Sequence, residues 1–367
     1  MIIYYKQIRR LLTLFQSGGF PKIKLIRAFL VVVGLNLIFG CLFYLAEHPV
    51  QPELTLADAI WWGIVTMTTV GYGDFYAQTI WGRFVISYAC MLIGIGLIGY
   101  VIGFFAEYIL DVISKTKRGL MKIFDENHLL ICNYPGEQKV IEVVQEIRSI
   151  DEYKKTPIVL ITENLEKIPD SLKAMNLQFV QGNPTDEDVL YKANILKCAG
   201  VFILANQASE PDPDERSFAV GTIIELIESE HGIPIKTIVE VEHQKNLKLI
   251  KRSSVNSMIS NDGVTSRLLA HEFNYPGIYD IIQQLLDSDE GSQFHIQPTK
   301  LVGQRVVDIQ MEIIKHPTRM QVVGIIQNGR KILNPSKEQK IEAGDQLVLL
   351  ADHISDFKEI EDALLNR

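Results

Sequence analysis

The chain has 367 residues, 47% of them hydrophobic and 22% charged, with a formal net charge of −8. Charge is divided unevenly: residues 1–124 carry 11 Lys and Arg against 6 Asp and Glu, and the remainder carries 25 against 38. This length and an acidic, mixed-composition back exclude a single small domain and argue against a nucleic-acid binder, which needs clustered positive charge. The four cysteines, Cys41, Cys90, Cys132 and Cys198, show no CxxC spacing, and the first two sit in apolar runs, against a disulfide framework or a zinc site.

In chain order, the opening stretch MIIYYKQIRRLLTLFQSGGF lacks an apolar core followed by a small-residue cleavage site, so it does not read as a signal peptide. Apolar residues interleaved with Lys6, Arg9 and Arg10 predict an amphipathic helix over 1–24, lying on the inner membrane surface. A membrane-embedded domain is expected over 25–114. Within it, spans are expected at 26–47 and 82–112, each with an apolar run long enough for a ~30 Å hydrocarbon core. Lys22, Lys24 and Arg27 flank the first span, and Lys115, Lys117, Arg118 and Lys122 follow the second. The connection carries Glu47, Glu53, Asp58 and Asp74. This asymmetry predicts a multi-pass protein of the cell's inner (plasma) membrane, with both termini cytoplasmic.

Between the spans, Thr55 and Asp58 predict a capped start to a short helix over 56–68. It is too short to cross, so it reads as re-entrant. The segment TVGYGD after it must then be buried or line a watery cavity. Gly71 and Gly73 suit backbone angles that a Cβ would hinder. Further on, Gly94, Gly96 and Gly99 form a literal GxGxxG. With no strand before it and a mid-membrane position, it is a decoy for dinucleotide binding. Gly99 and Gly103 allow close helix approach.

Thr69, Val70, Gly71, Tyr72 and Gly73 resemble the selectivity filter of potassium channels, and the two spans with a pore helix resemble that family's two-transmembrane pore. The resemblance implies that the carbonyls of Thr69, Val70, Gly71 and Tyr72, with the Thr69 hydroxyl, replace the water shell of K+. It also implies a homotetramer around one filter. Tyr72 is expected to brace against Trp61 and Trp62. One of Gly94, Gly96 or Gly99 is expected to be the gating hinge, close packing being the alternative. Val65 stands where some relatives carry a pore-helix glutamate, so a carboxylate pair with Asp74 is absent.

After a linker over 115–126, the stretches HLLICN, TPIVLIT, LQFVQG, GVFILA, KTIVEVE and NSMIS read as buried strands separated by helices. Alternating βα units over 127–260 predict a Rossmann-like, doubly wound parallel sheet. The turn after its first strand carries only Gly136 of a glycine loop, and Glu163 ends the second strand. Candidate nucleotide contacts are Asn133, Gly136, Glu163, Asn183 and Asn206. The turn Gly182–Asp186 is similar to a GDPT-like turn of RCK domains, the regulators of K+ conductance fused to prokaryotic channels, and 127–367 resembles that family. The resemblance implies a helical crossover and dimerisation segment over 261–290, and a small α+β subdomain over 291–367. It further implies RCK–RCK pairing in a cytoplasmic gating ring, which in this family often holds eight such domains.

The gating ligand is left between two classes: a nucleotide (NAD, ADP or ATP), or Ca2+. Glu240 and Glu242 match the family's calcium-binding glutamates, whereas Ala205 stands at the aspartate position. Asp212, Asp214 or Glu215 are then candidates to complete an oxygen shell. The two glutamates also read simply as alternating residues on one strand face. The expected function is a ligand-gated K+ channel and not an enzyme. Alternatives are a membrane-anchored NAD-dependent oxidoreductase, against which stands the lack of an acid–base constellation, or a K+ transporter subunit. Lipid is an expected partner and nucleic acid is not.

Overall fold

The structure, a computed structural model, describes residues 22–206, 212–250, 255–260, 262–286 and 291–365. The interfacial helix expected over 1–24 lies outside the described residues, except for its last three. These already belong to helix α1 (Lys22–Glu47). Compactness divides the chain into two units, Met1–Glu126 with Val159–Cys198, and Asn127–Ile158 with Ala199–Arg367.

In the first unit, two helices are long and apolar enough to cross a membrane, Ile26–Glu47 and Gly82–Lys117. Helix α2 (Leu56–Met67) lies between them, and its 12 residues span only about 18 Å. Thr55 and Asp58 form the expected capping box in both directions: the Asp58 amide donates to Thr55 Oγ1 at 3.2 Å, and the Thr55 amide to Asp58 Oδ2 at 3.0 Å. The second long helix opens with a π-helical turn, Gly82–Ser87, where Ser87 Oγ donates to the Gly82 carbonyl five residues back. It continues without interruption as α3 (Tyr88–Lys117), past the expected end at 112 and into the segment read as linker. Phe39, Phe43, Ala59, Trp62, Met67 and Cys90 form the core that joins the three helices.

The α/β region follows as β1 (His128–Cys132), α4 (Glu137–Ser149), β2 (Ile158–Thr162), α5 (Asp170–Ala174), β3 (Leu177–Gln181), α6 (Glu187–Lys192), β4 (Cys198–Ile203), α7 (Pro213–His231), β5 (Thr237–Val241), α8 (Leu247–Ile250) and β6 (Ser257–Ser260). The strand order is β3-β2-β1-β4-β5-β6, the doubly wound arrangement, and β4–β5 and β5–β6 pair in parallel. Every residue of β1 and of β2 is buried, which explains why these strands read as unbroken apolar runs. Helices α9 (Val264–Asn274) and α10 (Ile278–Leu286) lead to an antiparallel sheet, order β7-β10-β8-β9. Its strands are β7 (Gln293–Pro298), β8 (Met320–Gln327), β9 (Arg330–Leu333) and β10 (Gln346–Ala351), and it packs on α11 (Val306–Lys315) and α12 (Ser355–Leu365) around Ile309, Ile325, Leu347 and Phe357. The fold class is thus as read from the sequence.

Candidate pore and ligand sites

Helix α2 ends at Met67 and the chain turns at once into an extended, irregular segment. The amides of Val70 and Gly71 both donate to the Val65 carbonyl, at 3.0 and 3.3 Å, which fastens the segment to the helix end. Thr69, Gly71 and Gly73 have φ of +60°, +57° and +79°, whereas Val70 and Tyr72 do not enter the positive region. The φ sign thus alternates along the segment, positive at Thr69, Gly71 and Gly73 and not at the two residues between them. The two glycines adopt this without penalty, but a β-branched threonine does not; Thr69 stores on the order of 1–3 kcal/mol of strain.

The bracing is divided between the two tryptophans. Trp61 stacks on Tyr72 with ring centroids 6.1 Å apart, and its Nε1–H donates to Asp74 Oδ2 at 2.7 Å. Trp62 faces the other way, stacked 3.7 Å from Phe43 of α1. Tyr72 therefore leans on Trp61, while Trp62 anchors the pore helix to the outer helix. Glu47 was legible only as one acid of the loop, yet it is fully buried. It accepts hydrogen bonds from Gln78 N (2.8 Å), Thr79 N (3.1 Å) and Thr79 Oγ1 (2.6 Å), tying the end of α1 to the chain that follows the 69–73 segment.

The three inner-helix glycines have different surroundings. A Cβ on Gly94 would lie 2.4 Å from the Met67 carbonyl oxygen, so this glycine is needed for α3 to pack on the pore-helix terminus. Gly96 and Gly99 meet nothing within 4 Å.

In the α/β region, Asn133 is buried at the end of β1 with φ +73°. Its Nδ2 donates to the Leu204 carbonyl at 2.9 Å, and its Oδ1 accepts from Arg216 Nε at 3.1 Å. It joins the loops after β1 and β4. Asn206 is buried beyond β4 in the same unit. Gly136 is the N-cap of α4, in a conformation that glycine favours, with open space where a side chain would stand. The nearby Tyr134 hydroxyl is pushed above its ordinary range by burial and by Glu137. In the other unit, Glu163 is exposed after β2, and Asn183 Oδ1 accepts from the Thr185 amide at 3.0 Å, closing the turn after β3.

Glu240 is held by two groups that sequence reasoning did not connect to it. Lys139 Nζ lies 3.0 Å from Glu240 Oε1, and the Ala205 amide donates to Oε2 at 3.2 Å. The carboxylates considered as further oxygen donors also have internal work. Asp212 Oδ1 caps α7 through the Asp214 amide. Asp214 is fully buried and accepts from the amides of Glu242 and His243 at 2.7 and 3.0 Å, and from Asn246 Nδ2 at 2.7 Å. Among the described residues no group of three or more His, Cys, Asp or Glu stands ready to hold a metal. Lys139 and Arg216 gave no sequence signal, because each lies on a helix whose face contacts a strand end far away in sequence.

Comparison with known proteins bears on both regions. Residues 30–111 match the ion channel family, and residues 124–227 match the calcium-activated potassium channel slowpoke-like RCK domain. The chain is an ion-channel pore fused to an RCK domain. The calcium-gated potassium channel TvoK of Thermoplasma volcanium is 28% identical to it over 348 residues, covering 94% of each chain. Potassium channel protein 1 of Methanocaldococcus jannaschii is 24% identical over 298 residues, covering 78% of this chain and 83% of that one. Among solved structures, the GsuK channel bound to NAD is similar at 18% identity and a TM-score of 0.44, covering 89% of this chain and 57% of that chain, less than two thirds of its length. The relatives of this RCK channel protein are named as channels, which decides against the oxidoreductase alternative.

Proposed function

We propose that this RCK channel is a ligand-gated, potassium-selective channel of the cell membrane, a homotetramer with cytoplasmic termini. The observation that carries this reading is the alternating backbone of Thr69–Gly73 behind a Trp61–Tyr72–Asp74 brace. The carbonyls of Thr69, Val70, Gly71 and Tyr72 serve K+ in place of water. Exposure supports assembly: Val70 and Tyr72 leave 52% and 70% of their surface open in the single chain. In the α9–α10 region Leu269 and Phe273 are largely exposed, which supports pairing of RCK domains through 261–290. Gly96 and Gly99, where a Cβ would meet nothing within 4 Å, are favoured over Gly94 as the hinge.

For the ligand, the first reading is a nucleotide, favoured by the open N-terminus of α4 at Gly136, where backbone amides suit phosphate. Asn133 and Asn206, in the same unit as Gly136, are the residues assigned to frame it. The second reading is Ca2+ at Glu240 and Glu242, supported by the name of the Thermoplasma relative. Such an ion has to displace the Lys139 ammonium from Glu240. Inside-out patches exposed singly to Ca2+, NAD, NADH, ADP and ATP test both readings. A change in open probability with at least one is expected, and indifference to all five would overturn ligand gating.

A further inference from the structure

The segment between the inner helix and the sheet reads in sequence as a linker, but its contacts are those of a docked element. Helix α3 stops sharply at Gly119, φ +65°, with the Gly119 amide on the Thr116 carbonyl at 3.1 Å and the Leu120 amide on the Lys115 carbonyl at 2.9 Å. The carbonyls beyond are taken by the α/β region. Lys117 O accepts from the Ile168 amide at 3.0 Å, and Gly119 O accepts from the Gln181 amide at 3.0 Å and from Lys192 Nζ at 2.9 Å. The Ile123 amide returns to Lys192 O at 2.9 Å, Asn194 Nδ2 donates to Asp125 O at 2.8 Å, and Gln178 Nε2 reaches the Asp125 carboxylate. Met121 and Ile123 are buried, and a Cβ on Gly119 would stand 2.4 Å from the Gln181 nitrogen.

Lys192 is suited to its place. Its ammonium sits at the carbonyl end of a 30-residue helix, where a cation is favoured by the helix dipole. Burial pulls its pKa below the ordinary lysine value. All these groups belong to one compact unit, which the chain leaves at Glu126. Asn127, at the exit, is exposed and has φ +56°.

We propose that residues 117–125 are a clamp, with Lys192 as its positioning residue, so that force between RCK domain and gate passes through β3 and α6 and not along the covalent chain into β1. This rests on the ligand-gated channel reading. A tether and a clamp respond differently to added length. Slack in a tether uncouples the gate wherever it is inserted, whereas a clamp is indifferent to slack placed beyond it.

The test inserts Gly-Ser-Gly either between Arg118 and Gly119 or between Glu126 and Asn127 in the full-length reconstituted channel, with Lys192→Met and Lys192→Arg alongside. Ca2+, NAD, NADH, ADP and ATP are applied singly. The insertion after Glu126 should leave the ligand response within about twofold of wild type. The insertion after Arg118 and Lys192→Met should each weaken it by roughly five- to hundredfold, the usual range of coupling between sites. Lys192→Arg should restore much of the response, and unitary conductance should be unchanged throughout. Equal uncoupling by the two insertions would overturn the clamp. Amide hydrogen exchange needs no ligand and decides the matter even if ligand gating itself fails. The Ile123, Ile168 and Gln181 amides should be protected together and released together by Lys192→Met, and rapid exchange of Ile123 in the wild type would contradict the proposal.

Discussion

The filter segment and the far end of the RCK sheet both carry polar groups at the edge of an apolar framework, but they use them in opposite ways. In the segment proposed as the filter the side chains are spent on bracing, Tyr72 on Trp61 and Asp74 on the indole N–H, and the backbone is left for the proposed ion contacts. At the ends of β1, β4 and β5 the side chains themselves are drawn inward: Asn133 onto Leu204 and Arg216, Glu240 onto Lys139 and Ala205, Asp214 onto three N–H groups. A site built of backbone is fixed by the residue types that permit its angles. A site built of side chains depends on which distant partner each one finds.

The sharpest break in this contrast comes from the filter. Gly73→Ala places a Cβ on a residue at φ +79°, and Tyr72→Val removes the ring that stacks on Trp61. Each should abolish K+ over Na+ selectivity in bilayer recordings; preserved selectivity in both would mean that the segment does not carry the discrimination. Removal of residues 121–367 should come next in size. Conduction should persist and the response to every cytoplasmic ligand should vanish, as judged in the same patches that test the full chain.

A smaller effect is expected where the inner helix packs. Gly94→Ala forces a methyl group into the Met67 backbone and should cost about 1–3 kcal/mol, read as a lower unfolding temperature of the detergent-solubilised protein. Gly99→Ala meets open space, should leave that temperature within a degree or two of wild type, and should act on open probability alone. The smallest change is predicted for Lys139→Met. Freed of its ammonium partner, Glu240 should bind Ca2+ up to about tenfold better, a difference of about 1.4 kcal/mol, if calcium is the ligand sensed. An unchanged calcium response would assign Lys139 a purely structural pairing.

What the sequence made legible follows the same division. The spans, the capped pore helix and the βα alternation were visible because each is a local pattern of period or spacing, and the capping box of Thr55 and Asp58 is as expected. The irregular backbone after the short helix was legible because glycines at Gly71 and Gly73 encode backbone angles directly. The internal bonds of Asn133 and Glu240 were not legible, since Arg216 lies 83 residues from Asn133 and three strands separate the helix of Lys139 from β5 in the chain. The role of Glu47 stayed hidden for the same reason, its partners Gln78 and Thr79 being about 30 residues away. The docked character of 117–125 was equally unreadable, because most of its bonds run through main-chain amides and carbonyls, which carry no residue-type signal.

The most direct test of the central claim is the reversal potential of the purified, reconstituted chain with K+ on one side of the bilayer and Na+ on the other. The account predicts a current that reverses far toward the K+ equilibrium potential and loses that preference in Gly73→Ala. A reversal near zero in the wild type, or no current at all under any of the five ligands, would contradict it.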